Sequence, residues 1–186
     1  MSIGELFLVA VSLSMDAFAV SVCKGLAAKA PTARQTLVVG LYFGAFQALM
    51  PLLGYFVGSR FEAFVAAFSH WIAFALLALI GVNMIRESRE ADTCSVTSAS
   101  FGPRDMLPLA LATSIDAFAV GVSFAFLEIN IWLSVIFIGI ITLCLSVVGV
   151  RSGKAFGGHL KSRAELVGGL ILIGIGVKIV VEGLFF

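Results

Sequence analysis

The fold class this sequence predicts is an all-α integral membrane protein, with six transmembrane helices arranged as two inverted three-helix repeats. Three observations carry that prediction. Sixty per cent of the 186 residues are hydrophobic and only 12% are charged, and the mean hydropathy is +1.10, outside the range of soluble domains. Apolar runs of about 20 residues, enough to cross a bilayer, recur along the chain between short polar breaks. One phrase also occurs twice: SMDAFAVSV at residues 14–22 and SIDAFAVGV at 114–122, identical at seven of nine positions.

The first span covers residues 3–26. No basic segment precedes it and the apolar run is long, so a retained helix is expected and not a cleaved signal. Lys24, Lys29, Pro31 and Arg34 mark the exit from the membrane. The second span, 37–57, holds Pro51, which removes a backbone donor but is tolerated where neighbouring helices satisfy the freed carbonyl. Residues 58–69 are short and mixed and are expected along the interface. The third span is 70–85. RESREADTCSVTSASFGPRD, beginning at Arg86, is the one long polar stretch. The fourth span is 106–127, followed by a turn at Glu128, Ile129 and Asn130. The fifth is 131–150, a basic loop follows, and the sixth is 164–185. Residues 1–87 therefore form the first repeat, 88–105 a cytoplasmic linker, and 106–186 the second repeat.

Basic residues orient these spans. Lys24, Lys29, Arg34, Arg86, Arg89, Arg104, Arg151, Lys154, Lys161 and Arg163 all fall in alternate loops, and the opposite loops hold only Arg60. Such a bias places the basic loops in the cytoplasm and both termini outside.

The repeat extends beyond the phrase. A shift of 95 residues brings Gly44, Gly54 and Gly58 onto Gly139, Gly149 and Gly153, Gln47 onto Thr142, Pro51 onto Ser146 and Asn83 onto Lys178. With three spans per copy, the second must insert upside down. Inverted repeats are typical of secondary transporters, whose sites lie near the midplane between the copies. The glycine spacings at 40/44, 54/58 and 149/153 suit close helix packing.

Asp16 and Asp116 stand at the third position of each phrase, near the middle of their spans. A charge there costs about 2.5–3.5 kcal/mol on insertion scales, which marks both as functional candidates. Two carboxylates meeting in low dielectric must share a proton or hold a cation, and a divalent ion balances both. Ser12 and Cys23 share a face with Asp16, and Thr113 and Ser123 lie near that of Asp116. Gln47, Thr142 and Ser146 offer further oxygens from the second and fifth spans. That set suits a hard divalent cation such as magnesium, calcium or manganese. Met15 and Met50 are soft-ligand candidates or simple packing.

Lys178 is either a snorkelling lysine or an internal cation for Asp16 or Asp116. Glu87 and Glu182 are interfacial charges or gate residues. Cys23, Cys94 and Cys144 at scattered spacings predict no disulfide framework, and the two in apolar segments are expected as buried thiols.

The paired phrases, with FGAFQALMPLLG, HWIAFALLALIGVNMIRE and GGLILIGIGVKI, resemble the bacterial manganese efflux pump family MntP along essentially the whole chain. The resemblance implies Mn2+ as transported substrate, carried outward across the bacterial inner membrane, with Asp16 and Asp116 as the intramembrane acids. It implies no enzymatic activity and no cofactor. Gln47 stands where some relatives carry glutamate, which leaves two central carboxylates here. The partners expected are Mn2+, the lipid bilayer and protons as counter-ion, with no nucleic acid. An exporter of another small cation or of an amino acid is the alternative. An intramembrane aspartyl protease fits less well, because the GxGD phrase of those enzymes is replaced by SMD and SID.

Overall fold

The computed structural model describes residues 3–28, 30–65, 69–88, 100–127, 129–156 and 159–185. Among the described residues the chain is all-helical. The helices are α1 (Ile3–Ala28), α2 (Ala33–Val65), α3 (Ser69–Glu87), α4 (Pro103–Ala112), α5 (Ile115–Phe126), α6 (Ile131–Phe156) and α7 (His159–Phe185). Most of the linker, the side chain of Glu87, and Glu128 of the expected turn lie outside the described residues.

Among the described residues three helical stretches can cross a membrane by length and composition: Ile3–Ala28, Ala33–Arg60 and Ile131–Gly153. The pair Pro103–Ala112 and Ile115–Phe126 would add a fourth as one broken span, and Trp71–Arg86 is a shorter apolar helix. α2 is longer than its sequence implies, since residues 58–65 continue the helix instead of leaving it.

The fourth span departs from expectation. It is not one helix but two, bent by 44° at Thr113 and Ser114. Proline alone does not explain this, because Pro51 lies inside the unbroken α2 whereas Pro108 lies in α4. The difference is in the hydroxyls. Ser114 Oγ donates to the Ala110 carbonyl at 2.7 Å and to that of Leu111 at 3.1 Å, and Thr113 Oγ1 reaches the Ala110 carbonyl at 3.3 Å. Side chains thereby compete with the helical ladder at two adjacent positions. In the first copy Leu13 replaces Thr113, and α1 runs on unbroken.

Polar groups lie inside and large apolar groups outside, as lipid requires. Ser12, Ser14, Ser21, Gln47, Thr142 and Ser146 are all buried, while Leu41, Leu53, Phe56, Ile136 and Ile140 are exposed. One apolar cluster joins α1, α3, α5, α6 and α7 through residues such as Leu13, Leu77, Val120, Ile138 and Leu172. A smaller one joins α1, α2, α4 and α6 through Ala17, Val39, Phe43, Met106, Ala110 and Val150.

The helices pair across the chain and barely within each half. α1 packs on α6 and then α7, α5 packs on α2 and then α3, and α2·α6 and α3·α7 join these groups. Small residues make the close approaches possible. A Cβ at Gly149 would stand 2.9 Å from the Phe18 carbonyl oxygen, and one at Gly54 would overlap that of Phe118. A Cβ at Gly153 would stand 2.5 Å from the Val22 carbonyl oxygen, and one at Gly58 3.0 Å from that of Val122. Gly44 and Gly139 face each other, with Cβ-to-carbonyl separations of 2.9 and 3.2 Å. Residues matched by the sequence repeat thus meet matched partners.

Cys144 is a free thiol but exposed and not buried as expected, and Cys23, though buried, is disulfide-bonded, which the scattered spacing does not suggest.

Candidate metal site

Asp16 lies mid-way along α1, where the continuous ladder of the helix carries it into the interior. Asp116 sits differently. The bend at Thr113 and Ser114 places it in the first turn of α5, where Asp116 Oδ1 accepts the Ala117 N–H at 2.8 Å. Unpaired N–H groups at a helix start favour a carboxylate. Both side chains are partly buried, with Asp16 Oδ1 and Asp116 Oδ2 shielded from solvent.

Neutral oxygens surround the level of Asp16. Ser14 Oγ donates to the Ala10 carbonyl at 2.6 Å and lies 2.7 Å from Thr142 Oγ1. With the serine proton committed to the carbonyl, Thr142 donates to Ser14, and the threonine oxygen keeps its lone pairs. Gln47 Nε2 donates to the Leu13 carbonyl at 2.8 Å. That bond orients the amide and leaves Gln47 Oε1 buried without a hydrogen bond, and Ser146 Oγ is in the same condition. A buried unsatisfied polar atom costs about 1–3 kcal/mol, so two of them are a standing demand for a ligand.

Contacts along α6 place Ser146 by Asp16. Thr142 meets Ser14 and Gly149 meets Phe18 and Ser21, so Ser146, on the α6 face between them, is level with Asp16. On α2, Gly54 meets Phe118 and Pro51 meets Gly121. Asp116 therefore flanks the α2 segment that begins one turn beyond Gln47. The five expected residues lie on four helices, α1, α2, α5 and α6.

Other candidates are engaged elsewhere. Ser12, Thr113 and Ser123 donate to carbonyls of their own helices. Met15 and Met50 pack against the larger apolar cluster. Lys178 is paired with Glu5 and, at 3.3 Å, with Glu182, so its described partners are glutamates at the start of α1 and end of α7. Glu5 is a partner that sequence reading missed. No group of three or more acidic, histidine or cysteine side chains suited to a metal occurs among the described residues. The arrangement offers two carboxylates plus amide and hydroxyl oxygens, the donor chemistry of a hard divalent ion.

Sequence reading also missed Ser14, although it opens the repeated phrase. Its bond to Thr142 is expected to contribute about 0.6 kcal/mol, and no more than about 1.7. A double-mutant cycle of Ser14→Ala and Thr142→Val, read by unfolding in detergent, checks the coupling. A value near zero would show that the two hydroxyls do not bond.

A family model described as "Putative manganese efflux pump" matches residues 30–180. A protein of Desulfitobacterium hafniense (strain Y51) is 53% identical over 182 residues, covering 98% of this chain and 96% of its own length. One from Mannheimia succiniciproducens is 52% identical over 190 residues, and one from Campylobacter jejuni (strain RM1221) is 53% identical over 186, with both chains covered completely in each case. All three are named "Putative manganese efflux pump MntP". No solved structure matches this chain.

Proposed function

Because this chain belongs to the manganese efflux pump family, we propose that it carries Mn2+ out of the cytoplasm by alternating access, holding the ion between Asp16 and Asp116. The observation that carries the site is the pair of buried, unpartnered oxygens, Gln47 Oε1 and Ser146 Oγ, on helices that border the aspartates. Mn2+ bound there would neutralise both carboxylates and give those oxygens the partner they lack, with Thr142 as a further donor.

The six-span inverted repeat belongs to the same reading. Its support is the matching of Gly54–Phe118 with Gly149–Phe18, and of Gly58–Val122 with Gly153–Val22. In this reading the protein lies in the bacterial inner membrane with both termini outside, residues 1–87 and 106–186 are the two copies, and 88–105 is a cytoplasmic linker. Once Mn2+ has left, two carboxylates in low dielectric need another counter-charge, and protons returning on them would supply it. The amino-acid alternative needs a fixed cation for a substrate carboxylate, and Lys178, the candidate that the sequence offered for that role, is engaged with glutamates.

The test is transport by the purified chain in proteoliposomes, one metal at a time. Mn2+ flux is expected to exceed Mg2+ and Ca2+ flux by at least about tenfold, and an imposed pH gradient is expected to change its rate. Equal flux for all three ions would remove the manganese reading, and indifference to the pH gradient would remove proton coupling.

A further inference from the structure

Lys24 reads from sequence as a loop residue marking the membrane exit, yet it is 1% exposed. Its Nζ donates to the Ser100 carbonyl at 2.8 Å and lies 5.9 Å from the centre of the Phe101 ring. Asp105, in the first turn of α4, attracts it electrostatically. Burying an ammonium group is expensive unless it is hydrogen-bonded and paired. The segment 100–105 supplies a carbonyl acceptor, a ring face and a nearby carboxylate, so undocking it would strip these partners from Lys24.

The helix packing shows what this contact joins. α1 packs on α6 and α7, while α5 packs on α2 and α3 and α4 packs on α2; the α2·α6 and α3·α7 contacts form the interface between these two bodies. The first body is thus made of the two ends of the chain, and the second is its continuous middle. Because α1 and α2 scarcely touch, and likewise α5 and α6, neither sequence repeat holds together as a rigid unit. Asp16 rides on the body of chain ends and Asp116 on the middle body. Lys24 spans the two bodies, whereas the Lys178–Glu5 pair lies within one of them and its lysine is 48% exposed.

We propose that Lys24, clamped by Ser100, Phe101 and Asp105, is the latch that closes the cytoplasmic mouth between these two bodies. The proposal rests on the transport reading above, which also sets the side of the membrane. In the latched state the smaller apolar cluster of Ala17, Val39, Phe43, Met106, Ala110 and Val150 seals the same end, and a buried positive charge repels a divalent cation from it. Release hydrates Lys24, frees α4 and opens the path to Asp16 and Asp116. The latch therefore sets what fraction of the molecules can take up Mn2+ from the cytoplasm. Apparent affinity scales with the population of the competent state.

The experiment compares Lys24→Gln and Phe101→Ala with the wild type and with Arg60→Gln, a control on exposed surface. Phe101→Ala leaves the lysine in place, so a folding defect specific to the charge change cannot mimic the result. Mn2+ uptake into inside-out vesicles gives the half-saturating concentration on the cytoplasmic face. Amide hydrogen exchange on the full chain in nanodiscs gives the protection of residues 100–110. Both variants are expected to lower half-saturation at least fivefold, with slower maximal uptake, and to lose at least tenfold protection in that segment, with α7 unchanged. Unchanged protection overturns the latch. Lost protection with half-saturation within twofold of the wild type also overturns it, since the contact would then be structural only. Absence of Mn2+ uptake by the wild type overturns the transport reading itself, whereas normal wild-type uptake with unaltered variants removes the latch alone.

Discussion

Asp16→Asn and Asp116→Asn are each expected to bring Mn2+ flux in proteoliposomes down by about two orders of magnitude. Asparagine keeps the shape of the side chain and removes its charge, so the bound ion would retain one compensating carboxylate where it had two. A net charge left at mid-bilayer costs about 2.5–3.5 kcal/mol, and each 1.4 kcal/mol is a factor of ten in binding. The fold is expected to survive both changes. At position 116 the asparagine oxygen can still accept the Ala117 N–H that Asp116 Oδ1 accepts now at 2.8 Å. Flux is measured at equal incorporated protein, with monodispersity in detergent as the check on folding. Either variant retaining more than about a third of wild-type flux would take its aspartate out of the site.

Gly121→Ala and Gly54→Ala are expected to destabilise the bundle severely, whereas Gly174→Ala is expected to be neutral or stabilising. A Cβ at Gly121 would stand 2.5 Å from Pro51 Cα and 2.6 Å from its carbonyl carbon. At Gly54 it would overlap the Phe118 carbonyl oxygen and stand 3.0 Å from Val122 N. Every one of these neighbours is backbone, so relief requires α2 and α5 to move apart and cannot come from a rotamer change. Overpacking costs about 1–3 kcal/mol even where side chains can yield, and each of these changes is expected to reach at least the top of that range. Nothing lies within 4 Å of a Cβ at Gly174, and alanine exceeds glycine in helix propensity by about 1 kcal/mol. Thermal unfolding in detergent ranks the three. If Gly121→Ala unfolded with the wild type, the α2–α5 contact described above would be incorrect.

The contrast between the repeated phrases shows how far sequence reasoning reaches. It found both aspartates, because a carboxylate in an apolar run is conspicuous at any register. It did not find that one aspartate lies mid-helix and the other at a helix start. That difference follows from Leu13 against Thr113 and from where the second-helix residues bond. Thr142 meets Ser14, while its repeat counterpart Gln47 turns to the Leu13 carbonyl. A hydroxyl can bond its own helix or a neighbour, and only the neighbour's position decides between them. Lys24 makes the same point more strongly. A lysine at the end of an apolar run ordinarily marks the membrane surface, and nothing local indicates that a segment some 75 residues later covers it.

By itself the sequence determined the helical, membrane-embedded character of the chain, its internal repeat and the place of Asp16 and Asp116 within apolar stretches. These are readable because hydropathy, charge and self-similarity belong to single stretches of chain. The tertiary structure alone decided the break before Asp116, the burial of Lys24, the pairing of Lys178 with Glu5, and the packing of the chain's middle against its two ends. Each of these depends on which small-residue faces meet and which buried polar atoms find partners, choices made between segments far apart in the chain and written in no single one of them.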